Sequence, residues 1–136
     1  MKLHHYGFVV ADIREGMRGF CASLGAEWDG RIFEDPLQKV KVAFLTTGAA
    51  DAQLELVEPM GTDSPVYRFL LERGGGLHHA CWSVDDLDAQ LLAMRARGAI
   101  IARRPKPALA FGGRRIAWVL TREQLLVEFL EAKAAI

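Results

Sequence analysis

Leu3-His4-His5, near the start of the chain, and Leu77-His78-His79, past its midpoint, are the same three residues, with His5 and His79 at an offset of 74. Leu54-Glu55-Leu56-Val57-Glu58 and Val127-Glu128-Phe129-Leu130-Glu131 repeat one another in the same way, with Glu55 and Glu128 at an offset of 73. A fixed internal offset of this kind marks a duplicated unit and governs the reading of the fold. Histidine and glutamate are standard ligands of divalent metals. A unit that supplies one of each per copy is expected to build a four-ligand site between the copies.

Working outward from the first repeat, residues 3–10 are rich in aromatic and β-branched types and read as a strand. Alternation puts His5, Gly7 and Val9 on one face and His4, Tyr6 and Phe8 on the other. Asp12 reads as a helix N-cap with Glu15 three residues on. Ile13, Met17, Phe20, Cys21 and Leu24 follow at helical spacing, and Gly25 stands where a helix ends. Residues 26–33 are expected to hold a short strand and Glu34-Asp35-Pro36 a loop. Two strands follow, over 40–46 and 53–57, joined by Thr47-Gly48-Ala49-Ala50-Asp51.

The second copy repeats the order. A strand over 77–84 leads to a helix capped by Asp85 or Asp86, carrying Leu87, Leu91 and Met94 and ended by Gly98. Strands are then expected over 99–102, 116–120 and 125–130; Ile116-Ala117-Trp118-Val119 answers Val42-Ala43-Phe44-Leu45 at the offset of 74. Between the copies, Asp63-Ser64-Pro65 and Gly74-Gly75-Gly76 bracket a linker helix over about 63–73. The expected fold is α+β: one domain over 1–136, with tandem βαβββ modules over about 1–60 and 77–131 curving their sheets around a shared metal cleft.

His5 is preferred over His4 as a ligand because it shares a face with Gly7, which leaves room. Glu55 and Glu128 each put a carboxylate on a mid-strand position between apolar neighbours. One such glutamate is ordinarily the solvent side of a half-wet sheet, and a lone strand histidine is ordinarily structural. Four ligand-type residues at homologous positions are not four coincidences, and a metal would compensate carboxylates that are costly to bury alone. Glu58 and Glu131 lie near strand ends and read as surface groups; His4 and His78 are expected to pack elsewhere. A two-histidine, two-carboxylate set suits Zn, Ni, Co, Mn or Fe. An octahedral ion so held keeps two positions for a substrate with two oxygens, whose enolate it would stabilise.

The composition narrows the classes. The chain has 136 residues, 51% hydrophobic, enough for a core in one domain. Lys plus Arg and Asp plus Glu are 17 each, so there is no basic excess of the kind nucleic-acid binders carry. No apolar run reaches the ~18 residues of a membrane helix. Asp12, Arg14 and Glu15 interrupt any secretory leader. Cys21 and Cys81 sit in apolar stretches and read as buried thiols of a reducing compartment, so a cytoplasmic location is expected. Arg103, Arg104, Lys106, Arg114 and Arg115 form a basic cluster that reads either as a phosphate-binding patch, with Arg114 and Arg115 as substrate contacts, or as a solvated rim. Trp28, Trp82 and Trp118 read as core or cleft wall.

His5-Tyr6-Gly7, Val40 to Leu45, Leu54 to Pro59, Asp63-Ser64-Pro65, Gly76 to His79, Val84 to Leu87, Gly112 to Ile116 and Val127-Glu128-Phe129 together resemble the vicinal-oxygen-chelate (glyoxalase/bleomycin-resistance/dioxygenase) superfamily. Within it the likeness is to the methylmalonyl-CoA epimerase family. The resemblance implies paired βαβββ modules and a divalent ion (Co, Ni, Zn or Mn) on His5, Glu55, His79 and Glu128. It implies a small-molecule substrate, a 1,3-dicarbonyl such as a CoA thioester, epimerised through an enolate, and a homodimer. At the position where some bacterial epimerases carry a glutamate, this chain has Val42, which moves no proton; Glu55 or Glu128 would then serve as base while acting as ligand. A glyoxalase I-type lyase shares these ligands, and ligand-sequestering resistance proteins of the superfamily usually lack them.

Overall fold

The computed structural model describes residues 1–48 and 52–133, and the chain divides into two compact units, His5–His78 and His79–Ile136 together with Met1–His4. Ala49, Ala50 and Asp51 of the expected joining loop lie outside the described residues. Nine strands and three α-helices are described, an α+β architecture as expected.

β1 (Lys2–Val9), which belongs to the first unit from His5 onward, leads into α1 (Ile13–Leu24). The Asp12 carboxylate accepts from the Glu15 amide at 2.9 Å, and Gly25 closes the helix with φ 65°. Both caps satisfy backbone groups that a helix end leaves open. β1 runs parallel to β5 (Gln53–Pro59), and β4 (Val40–Thr46) lies antiparallel on the other side of β5. Two short strands pair with β4: β2 (Glu27–Trp28) and β3 (Phe33–Asp35). β3 corrects the loop expected at Glu34-Asp35-Pro36. The buried Asp35 carboxylate accepts from the Leu37 and Gln38 amides at 3.0 and 2.9 Å. That closes a tight turn, with Lys39 at φ 58°, and makes β3–β4 a hairpin. Ile13, Ala26, Ala43, Leu45 and Leu56 form the core under α1, with Met17, Phe20 and Cys21 against it. Leu24, expected on the same stripe, is instead exposed.

The linker helix α2 is Tyr67–Arg73. Neither residue expected to cap it does so. Asp63 is taken by Lys39 Nζ at 2.6 Å, and Ser64 Oγ accepts from the Val66 amide at 3.5 Å. Lys39 holds the Asp63 carboxyl below the usual carboxylate range.

The second unit repeats the first in register. β6 (Gly76–Val84) runs parallel to β9 (Leu126–Glu131), β8 (Arg115–Leu120) pairs antiparallel with β9, and β7 (Ile100–Pro107) with β8. Between β6 and β7 lies α3 (Leu87–Ala96), capped by Asp86, which accepts from the Ala89 amide at 2.9 Å. β7 runs past the expected 99–102 because two irregularities in its pairing let an edge strand accommodate Pro105 and Pro107. Val84, Leu87, Leu91, Ala117, Val119, Val127 and Phe129 form the core under α3. Each unit thus covers one face of its sheet with a helix and reserves the other face for the residues between.

Three consecutive glycines with positive φ carry the chain from α2 into β6. At Gly75 (φ 101°) an added Cβ would stand 2.6 Å from the Val9 carbonyl oxygen. Gly75→Ala is expected to destabilise the protein by about 2–3 kcal/mol, from the disallowed backbone and the contact together. Urea denaturation checks this; an unchanged midpoint would show that the turn relaxes freely.

Candidate metal centre

Strand alternation decides which side chains leave the core. On β5, Leu54 and Leu56 face α1 and Glu55 faces away; on β9, Val127 and Phe129 face α3 and Glu128 faces away. His5 on β1 and His79 on β6 follow the same rule. In the first unit His5 Nε2 lies 3.4 Å from Glu55 Oε1, with side-chain exposures of 0% and 6%. In the second, His79 Nε2 lies 3.8 Å from Glu128 Oε1, at 1% and 3%. The glutamates do not sit on the wet side of a half-exposed sheet; both are buried.

The surroundings repeat as well. Phe44 is the register neighbour of Glu55 and meets the His5 ring edge to face, centroids 5.8 Å apart at 68°. Trp118 is the register neighbour of Glu128 and meets the His79 ring at 4.6 Å and 83°. Of these aromatics Trp118 reads from sequence as core or cleft wall, and Phe44 is not singled out there, although the offset of 74 that joins them is legible. Trp82 packs against the apolar cluster beneath α3, and Trp28 against that beneath α1.

Each unit therefore holds a buried imidazole–carboxylate pair backed by an aromatic ring. Two donors each roughly 2.1 Å from one ion stand about 3.0–3.4 Å apart. Both pairs need only small adjustments to reach that spacing. The donor set, imidazole nitrogen with carboxylate oxygen, suits a borderline or hard divalent ion. Val42 lies on the same face of β4 as Phe44, is only 4% exposed, and offers no acceptor for a proton.

The remaining histidines are placed elsewhere. His4 meets Phe111 edge to face at 5.4 Å, and His78 meets Phe69 at 4.9 Å. The second pair of repeated glutamates ties strands to their neighbours. Glu58 Oε1 accepts from the Ile13 amide at 2.9 Å, at the start of α1, with Lys41 Nζ 3.8 Å from its other oxygen. Glu131 receives the Arg115 guanidinium at 2.9 Å and the Arg115 amide at 3.2 Å. Arg115 also bonds Asp88 at 3.1 Å, and Arg114 donates to the Phe111 and Glu131 carbonyls at 3.1 and 3.2 Å. The two arginines read from sequence as substrate contacts thus have donors engaged within the second unit. Hydrogen bonds from Arg115 hold the Glu131 carboxyl below its usual range, and bonds to Glu131 and Asp88 raise Arg115.

Comparison with known proteins gives a consistent picture. Residues 4–118 match the family described as the Glyoxalase/Bleomycin resistance protein/Dioxygenase superfamily. The protein YqjC of Bacillus subtilis (strain 168), itself uncharacterised, is 34% identical over 97% of this chain and 93% of its own. The ethylmalonyl-CoA/methylmalonyl-CoA epimerase of Cereibacter sphaeroides is 29% identical over 87% of each chain. Among solved structures, a methylmalonyl-CoA epimerase variant of Streptomyces coelicolor in complex with 2-nitronate-propionyl-CoA superposes with a TM-score of 0.82. It is 25% identical, over 98% of this chain and 99% of that one. No helix among the described residues is long and apolar enough to cross a membrane.

The Arg115–Glu131 pair sets an acid sensitivity. Because the folded carboxyl titrates below its unfolded value, its contribution to stability is present above that value and lost as pH falls through the lower, folded one. Glu131→Gln is expected to lower stability at neutral pH and to flatten the loss below about pH 4. Thermal melts across pH 3–7 check this; parallel curves for the two proteins would remove the pair's role.

Proposed function

The chain belongs to the glyoxalase/bleomycin-resistance/dioxygenase superfamily, and on that premise we propose that it is a divalent-metal-dependent isomerase acting through an enolate, epimerase-like on an acyl-CoA thioester or related dicarbonyl. His5, Glu55, His79 and Glu128 are the proposed ligands of one ion. The observation that carries this reading is the duplicated buried pair. Two carboxylates with side-chain exposures of 6% and 3% are costly to bury, and each has a histidine nitrogen beside it as a second donor. A doubly charged cation would answer both charges. One pair alone offers two ligands, too few for a resident ion, whereas the two together meet the four that such sites use.

When bound, the ion would act as a Lewis acid that favours the enolate of a chelated dicarbonyl. The chain's own residues supply the rest. Because Val42 carries no base, proton transfer at the substrate α-carbon falls to Glu55 or Glu128. Phe44 and Trp118 put apolar surface beside the carboxylates and limit the water around them.

Purified protein is expected to retain one divalent ion per chain, and His5→Ala or His79→Ala to lose most of it. Elemental analysis checks this: two ions per chain would mean that each pair binds separately, and none in metal-supplemented protein would sink the centre. Glu128→Met, which removes one of the two buried carboxylates, is expected to keep or raise the stability of the metal-free protein. It should also abolish the metal-induced gain, which in the wild type reaches about 2.7 kcal/mol at a hundredfold excess over Kd. Differential scanning calorimetry with and without metal reads both.

With methylmalonyl-CoA in deuterated water, the wild type is expected to exchange the α-proton and His79→Ala to lose the exchange. Unchanged exchange in the variant would overturn the role of the ion. Turnover of a methylglyoxal hemithioacetal without such exchange would assign lyase chemistry instead.

A further inference from the structure

We infer that Trp118 is a positioning residue that fixes the plane of His79 for ligation, and that Phe44 does the same, more loosely, for His5. The inference rests on the metal reading above and concerns how that centre is held. An imidazole ligand must keep one nitrogen aimed along a single direction, yet the torsion that turns its ring has broad minima. Something outside the ligand must therefore set the ring, most often a hydrogen bond or a packed neighbour.

Trp118 meets that need geometrically. Its ring stands at 83° to His79 with centroids 4.6 Å apart, the edge-to-face arrangement that aromatic pairs favour. It projects from the position on β8 that pairs with Glu128, so one strand pair carries both the carboxylate and the ring that orients its partner. Trp118 lies on the face of β8 opposite Ala117 and Val119, which belong to the apolar cluster beneath α3 against which Trp82 packs. The first unit has a smaller ring at the same place, at 5.8 Å and 68°. The two halves are built alike and grip their histidines unequally, the second more closely.

Ordinary packing would also bring rings together, and cobalt separates the alternatives. Co(II) titrations followed by visible absorption report both affinity and ligand geometry. Trp118→Leu is expected to weaken Co(II) binding between about twofold and tenfold, the range of an aromatic pair, and to alter the d–d bands. Trp118→Phe, which copies the first unit, should restore most of both. Phe44→Leu should have the smaller effect of the two leucine variants, and it serves as the readout if Trp118→Leu does not fold.

Melting of the metal-free proteins shows whether affinity is lost through stability alone. Identical affinity and spectrum in folded Trp118→Leu would overturn the positioning role while leaving the metal centre standing. Absence of Co(II) binding by the wild type would overturn both.

Discussion

A carboxylate in the middle of a β-strand, buried beside an imidazole, is the constraint around which each unit is organised. Such a group is tolerated only where something answers its charge. The alternation of β5 and β9 turns Leu54 and Leu56, and Val127 and Phe129, toward a helix while Glu55 and Glu128 face away. α1 and α3, capped by Asp12 and Asp86, cover the apolar faces. The opposite face is then free to carry groups that work against stability. Replacing them with apolar residues would make a more stable protein with no donor set.

Duplication explains how such an arrangement is specified twice, and the differences between the copies are informative. Lys41 with Glu58 in the first unit corresponds to Arg115 with Glu131 in the second, and only the arginine has the planar fork for several simultaneous bonds. Phe44 corresponds to Trp118. Gly7, beside Glu55 in register, corresponds to Cys81 beside Glu128. The framework repeats, while the side chains around each carboxylate have diverged.

Much of this was legible in the chain. The offsets of 74 and 73 named His5, His79, Glu55 and Glu128, and turn and cap chemistry located the major helices and strands. What failed to read had local causes. β3 was hidden because Glu34-Asp35-Pro36 has the composition of a loop, and only the pairing with β4 and the hydrogen bonds that the Leu37 and Gln38 amides donate to Asp35 show it to be a hairpin. The caps expected for α2 were taken by other partners, Asp63 by Lys39 and Ser64 by Val66. β7 outran its expected end because irregular pairing on an edge strand tolerates proline.

The sequence by itself determined the repeat, the α+β class and the chemical types of the candidate ligands, because periodicity and residue type are properties of the chain alone. Tertiary structure decided which groups are buried together. Glu55 and Glu128 could equally have faced water, and Arg115 could have stood free for an anion. The fold buried the first two beside histidines and spent the arginine on Glu131 and Asp88. It also gave Trp118 a neighbour, His79, 39 positions away along the chain. Burial and pairing depend on which strands come to lie side by side, and that is settled only when the sheet forms.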